Sequence, residues 1–163
     1  MDRPRQIYEF EGFNIDAERR LLTALAQYPQ GRSRAQVLTL AGYAASGPVS
    51  TAFARFRSEG WMGDGNGVMQ ITDAGLAVLG PFDALPTGDD LIAYWLHKFG
   101  KPTSELFRVL AEKRGTEVPR AELLQLAGYA ASGPVSTGLA VLRRLELMVD
   151  GRGGMTLNEE MFS

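Results

Sequence analysis

Residues 40–51 read Leu-Ala-Gly-Tyr-Ala-Ala-Ser-Gly-Pro-Val-Ser-Thr, and residues 126–137 repeat them letter for letter. Extending the comparison to residues 34–72 and 120–158 keeps 22 of 39 positions identical at a constant offset of 86. Solenoid repeats run only about 20–50 residues, so a period this long corresponds to a whole small domain. The chain is therefore predicted to be a tandem duplication in which each copy forms one domain.

The order of elements within a copy follows from helix and turn signals. In the first copy, Asp16 and Ser33 are suited to cap two successive helices, and Pro48 suits the first turn of a third helix that ends at Gly60. The glycine-rich stretch 63–67 lies between apolar pairs, which predicts a β-hairpin. Each copy is thus predicted to contain three helices followed by a two-stranded hairpin.

The segments outside the repeat complete the predicted organisation. A short helix is expected to start at Thr72 or Asp73, and an apolar periodicity over residues 89–99 predicts a connecting helix, whereas the second copy lacks a trailing helix. Alternating aromatic residues near the amino terminus indicate an extended arm or a short strand. The predicted boundaries are an arm over residues 1–15, a first domain over 16–80, a linker and connecting helix over 81–101 and a second domain over 102–163.

Composition narrows the function classes. The apolar fraction is 45%, the net charge is −2 and the isoelectric point is about 5.5, which argues against an indiscriminate, strongly basic nucleic-acid binder. Each repeat body nevertheless carries about one excess positive charge, which permits a local cationic face. Cysteine is absent, and neither an amino-terminal apolar stretch nor a membrane-spanning run occurs, so we expect a soluble, cytoplasmic protein.

Two stretches of the first repeat resemble a known family. The run Ala41-Gly42-Tyr43, a short polar turn and the apolar stripe that follows are similar to the two-helix core of bacterial winged-helix regulators. The stretch from Ile71 to Leu79 resembles the end of the wing in regulators of the MarR type. The chain also loosely resembles the paired winged-helix segments attached to phage and plasmid ATPases, although it has no Gly-x-x-x-x-Gly-Lys-Ser/Thr loop. The resemblance implies a mainly α fold with small β-hairpins, formed by two tandem winged helix-turn-helix domains joined by a connecting helix.

The resemblance implies double-stranded DNA as the partner. In such domains the third helix enters the major groove while the second helix crosses the backbone, and hydroxyl and guanidinium groups contact phosphates or bases. Asp64 in the first wing is expected to repel phosphate, whereas Arg152 at the second wing tip is expected to reach a minor groove. The candidate DNA-binding residues are Arg34, Ser50, Thr51, Arg55, Arg57, Arg120, Ser136, Thr137, Arg143, Arg144 and Arg152.

Catalytic chemistry finds little support in the sequence. His97 is the single histidine and lies in the predicted connecting helix, without the context of a nucleophilic serine. One histidine without cysteine does not supply a His/Cys metal site, and the Asp64-x-Asn66 start of a calcium loop is not continued. We therefore expect no enzymatic activity, no metal and no cofactor.

Two functional interpretations follow from these observations. The first is a non-enzymatic DNA-binding protein, a transcriptional regulator or a factor in phage or mobile-element DNA transactions, in which the tether between the copies increases affinity by about 10²–10⁴ when both bind. The alternative is a protein–protein interaction module that bridges or inhibits a nucleic-acid machine without binding DNA itself. Because the copies already form an internal pair, the chain is expected to be a monomer or a weak dimer, with no membrane association.

Overall fold

The computed structural model describes residues 15–162, with side chains from Ala17 onward, so the predicted arm over residues 1–15 lies almost wholly outside the described residues. The chain divides into two compact units between Leu85 and Pro86. This break falls inside the predicted linker, and the helix predicted as a connector belongs to the second unit. The predicted mainly helical architecture with two small antiparallel hairpins is confirmed.

In the first unit, three helices precede a hairpin and a fourth helix follows it. The elements are α1 (Ile15–Gln27), α2 (Arg34–Ala41), α3 (Gly47–Ser58), β1 (Met62–Gly65), β2 (Val68–Ile71) and α4 (Asp73–Leu79). α1 packs against α2, α3 and α4. Phe53 and Phe56 of α3 are fully buried, and their rings meet edge to face at 6.0 Å between centroids. The core of this unit is therefore centred on α1 and α3.

The second unit repeats this order behind an additional leading helix. Its elements are α5 (Gly88–Lys98), α6 (Thr103–Glu112), α7 (Arg120–Ala127), α8 (Gly133–Arg144), β3 (Met148–Asp150), β4 (Met155–Leu157) and a 3₁₀ turn (Glu159–Phe162). No trailing helix is predicted for the second copy, and this short 3₁₀ turn follows its hairpin instead. Met161 and Phe162 of the turn are buried. Leu139 and Leu142 take the places of the two α3 phenylalanines, and buried aromatic residues come instead from α5, α6 and the 3₁₀ turn, namely Trp95, Phe107 and Phe162.

Local sequence explains why the helices begin and end where they do. The hydroxyl of Ser46 accepts a hydrogen bond from the Val49 amide at 3.4 Å, and Ser132 caps α8 through the Val135 amide at 3.3 Å. Gly42 and Gly128 end α2 and α7 at φ 88° and 84°, where glycine avoids the steric cost of a side chain. The turn between the second and third helices therefore has the same caps in both units.

In each unit, one residue from the segment before α2 or α7 pairs with the second strand of the hairpin, as a short third strand would. Arg32 exchanges backbone hydrogen bonds with Met69, at 3.2 and 2.8 Å, and Val118 exchanges two with Met155, both at 2.9 Å. These bonds fix each hairpin against the start of α2 or α7.

Among the described residues, no helix has both the length and the apolar character that crossing a bilayer requires.

Candidate nucleic-acid interface

The segment that is identical in the two copies lies mostly on the surface of its unit. Within residues 44–51 only Val49 is buried, and within residues 130–137 only Val135 is buried. All the other side chains of the two stretches are exposed. Core packing therefore accounts for the identity of the two valines and leaves the identity of their exposed neighbours unexplained.

Backbone geometry accounts for part of this exposed identity and not for the rest. Ser46 and Ser132 are helix caps, as described above. At Gly47 and Gly133, however, an added Cβ would meet no other described atom within 4 Å. The fold of each unit therefore does not require glycine at the start of α3 or α8. Because glycine has no side chain, another molecule can approach the backbone closely at this position in both copies.

The same polar contact joins α2 to α3 in the first unit and α7 to α8 in the second unit. An Nη of Arg34 donates a hydrogen bond to the Ser50 hydroxyl at 2.9 Å, and Arg120 donates to the Ser136 hydroxyl at 3.2 Å. In the first unit the Arg34 guanidinium also lies 4.7 Å from the ring centroid of Phe53. The structure thus brings together two of the predicted site residues in each unit.

A second polar contact, also present in both units, links the third helix to the hairpin. Nε of Arg57 donates to Oδ2 of Asp64 at 2.8 Å, and Nε of Arg143 donates to Oδ2 of Asp150 at 2.7 Å. Arg143 adds a bond from Nη2 to Oδ1 at 3.2 Å. Hydrogen bonding to Asp150, opposed by partial burial and aided by the carboxylate charge, raises the pKa of Arg143. Asp64 is thus a partner of Arg57, a role that differs from the repulsion of phosphate expected from the sequence.

Arg55 differs from the other predicted site residues in its surroundings. Its Nε lies 3.7 Å from Oε2 of the buried Glu18, and its guanidinium lies 5.3 Å from the ring centroid of Trp61. The side chain is half-buried and is held against α1 and the start of the hairpin. In the second unit Val141 stands at the equivalent position and is also half-buried. This geometry assigns Arg55 a structural contact inside the first unit.

The remaining predicted residues are solvent-exposed. Thr51 and Thr137 lie near the start of α3 and α8, Arg144 ends α8, and Arg152 lies in the loop between β3 and β4. Exposure makes these side chains accessible to a ligand from solution. It does not by itself distinguish a binding residue from an ordinary surface residue.

The two hairpins differ in the residues that lie beside them. In the second unit the Glu117 carboxylate accepts a hydrogen bond from the Gly153 amide at 2.7 Å, so an acidic group lies against the glycine-rich loop. Gly31 occupies the equivalent position in the first unit. Beside the first hairpin, a groove of about 310 Å³ is lined by Arg34, Asp64, Gly65, Gly67, Val68 and Met69. The two copies therefore offer related but unequal surfaces.

Sequence reasoning missed three contributors to this surface, namely Asp150, Glu117 and the pairing role of Asp64. The aspartates carried a detectable signal, because an arginine followed seven residues later by an aspartate occurs at the same place in both copies. Glu117 carried none, since its position corresponds to a glycine in the first copy. Comparison of the chain with known protein families, curated proteins and solved structures finds no significant match.

Proposed function

We propose that each unit is a winged helix-turn-helix and that the chain is a non-enzymatic protein that binds double-stranded DNA. The setting would be transcriptional regulation or the DNA transactions of phages and mobile elements. The order of elements supports this assignment, because each unit contains a helix, a short paired segment, two further helices and a hairpin. In that fold the third helix is the element that enters the major groove.

The observation that carries the proposal is the repetition of an exposed surface that includes three hydroxyl side chains. Seven of the eight residues in 44–51 are exposed, and the same seven are exposed and identical in 130–137. Surface positions that serve only solubility are free to diverge after a duplication, as the exposed Gly63 and Val149 have done. A surface kept in both copies is best explained by two ligand sites of the same kind, such as two half-sites of a DNA target.

Each polar group on this surface has a role in such a complex. The hydroxyls of Ser50 and Thr51 are placed near the start of α3, where they can reach phosphates or base edges. Arg34 and Arg120 lie at the starts of α2 and α7, which are suited to contact the DNA backbone. Arg152 in the second hairpin loop would reach the minor groove. The second unit supplies the same contacts through Ser136 and Thr137.

Salt dependence tests the proposal directly. The expected phosphate contacts are four arginines that are exposed or half-exposed. None of them has a carboxylate partner among the contacts described above. They are Arg34, Arg120, Arg144 and Arg152. Each contact releases condensed cations, so a plot of log affinity against log salt should have a slope of about −3 to −4. Fluorescence anisotropy with a duplex selected from a random pool, from 50 to 300 mM salt, measures this slope. An absence of binding at the lowest salt would contradict the proposal.

One observation favours a second candidate function, a protein-interaction module. Leu76 and Val78 on α4 are 43% and 48% exposed, and among the described residues a 3₁₀ turn follows the second hairpin where α4 follows the first. An apolar interface at this helix would show weak salt dependence, whereas phosphate contacts weaken steeply with ionic strength. The salt titration therefore also distinguishes the two candidates.

A further inference from the structure

We propose that Asp64 and Asp150 hold Arg57 and Arg143 in position to read a guanine in each half of the DNA target. This inference rests on the proposed function in DNA binding. It specifies what α3 and α8 recognise. It makes both aspartates positioning residues, which act through an arginine and do not touch the base. It also explains why an acidic residue is kept on a surface that is expected to face phosphates.

The hydrogen-bond geometry leaves the useful end of each guanidinium free for a base. Asp64 accepts from Nε of Arg57 at 2.8 Å, and Asp150 accepts from Nε and Nη2 of Arg143 at 2.7 and 3.2 Å. A guanidinium has five N–H donors in one plane. When a carboxylate binds the edge that contains Nε, one donor on each Nη still points away from that carboxylate. That terminal pair matches O6 and N7 of guanine in the major groove.

Stability gives little reason to keep these ion pairs. All four side chains are between 40% and 49% exposed, and ion pairs with this exposure contribute little to the free energy of folding. Yet the arginine, the aspartate and their contact are retained in both units, whereas the neighbouring positions occupied by Ser58 in one unit and Arg144 in the other have diverged. A requirement for orientation explains this retention, because an arginine held in one rotamer loses less entropy when it binds.

The aspartates also affect non-specific binding. A carboxylate beside the guanidinium neutralises its charge and repels nearby phosphates, so the arginine is a weaker phosphate ligand than an unpaired one. The geometry therefore favours discrimination between bases at the expense of affinity for any DNA. Removing the carboxylate should reverse both effects.

The experiment uses the full chain and three duplex probes. These are the duplex selected from a random pool, the same duplex with its guanines replaced one at a time by 7-deazaguanine, and an unrelated duplex. 7-Deazaguanine lacks the N7 acceptor, so the wild-type chain should bind at least one substituted duplex in each half about tenfold more weakly. The Asp64→Asn/Asp150→Asn chain should lose most of this discrimination while its affinity for the unrelated duplex stays equal or rises.

Two further variants separate orientation from charge and folding. Glu59→Gln/Glu122→Gln also removes two negative charges, from the exposed residue that follows α3 and from an exposed position on α7, and should keep the full discrimination. Arg57→Lys/Arg143→Lys keeps the positive charge without the planar fork, so it should lose discrimination and still bind the unrelated duplex.

The outcomes separate this inference from the proposed function. If the asparagine chain discriminates against 7-deazaguanine as well as the wild type does, the positioning role is overturned while DNA binding stands. The inference is also overturned if the wild type itself ignores the 7-deaza substitution at every guanine. If the wild type binds no duplex at low salt, the proposed function fails and this inference fails with it.

Discussion

Replacing Arg57 and Arg143 together by alanine is expected to lower the affinity for the selected duplex by about 30-fold or more. Each arginine that binds a guanine through two hydrogen bonds contributes roughly 1–3 kcal/mol, and every 1.4 kcal/mol corresponds to about a factor of ten. Specificity should fall as well, because the alanine chain keeps the phosphate contacts of Arg34 and Arg120. Competition anisotropy with selected and unrelated duplexes measures both quantities.

A charge-matched control distinguishes base recognition from a general loss of positive charge. Arg108→Ala/Lys113→Ala removes two exposed cations from α6 and its carboxyl end, which are not among the elements proposed to contact DNA. This control should change the affinity less than threefold at about 150 mM salt, where distant surface charges are largely screened. Equal losses in the two double variants would contradict a specific role for Arg57 and Arg143.

Replacing Phe53 by alanine is expected to unfold the first unit and leave the second unit folded. Phe53 is fully buried between the helices of its unit, and truncation of a buried phenylalanine costs about 3–5 kcal/mol. A core formed by fewer than about 80 residues rarely supplies more than that amount. Because each unit has its own core, about half of the helical circular dichroism signal should disappear.

Assigned amide resonances show which half of the chain is lost. In Phe53→Ala the resonances from residues 88–162 should keep their native dispersion, and in Leu139→Ala those from residues 17–79 should keep theirs. Ala54→Ser, at an exposed position on the same helix, should leave both halves unchanged. Simultaneous loss of both halves in Phe53→Ala would show that the units fold as one cooperative structure, contrary to this account.

The helices and hairpins were predictable because their signals are local. Ser33, Gly42 and Pro48 act on the backbone within a few residues of themselves, so their effects do not depend on the tertiary structure. The pairing of Arg32 with Met69 was not predictable in the same way. A single paired residue has no periodicity, and its partner lies 37 positions away in the chain.

The candidate site was less predictable than the fold, and Arg55 shows why. Helical spacing places it on the side opposite the buried phenylalanines, but Glu18 on α1 and the ring of Trp61 draw it toward the body of the unit. A comparison of the copies contained a clue, because the equivalent Val141 is apolar. An arginine that is exchanged for valine after duplication is more consistent with a half-buried position than with a contact to phosphate.

The most direct test of the central claim is to find which surface meets DNA. The chain contains no cysteine, so Thr51→Cys, Thr137→Cys and Val78→Cys each introduce a single attachment point for a photoreactive benzophenone. We expect the labels at positions 51 and 137 to cross-link to the selected duplex, and the label on α4 at position 78 to give no cross-link. Cross-linking at position 78 with none at positions 51 and 137 would contradict the claim that α3 and α8 read the DNA.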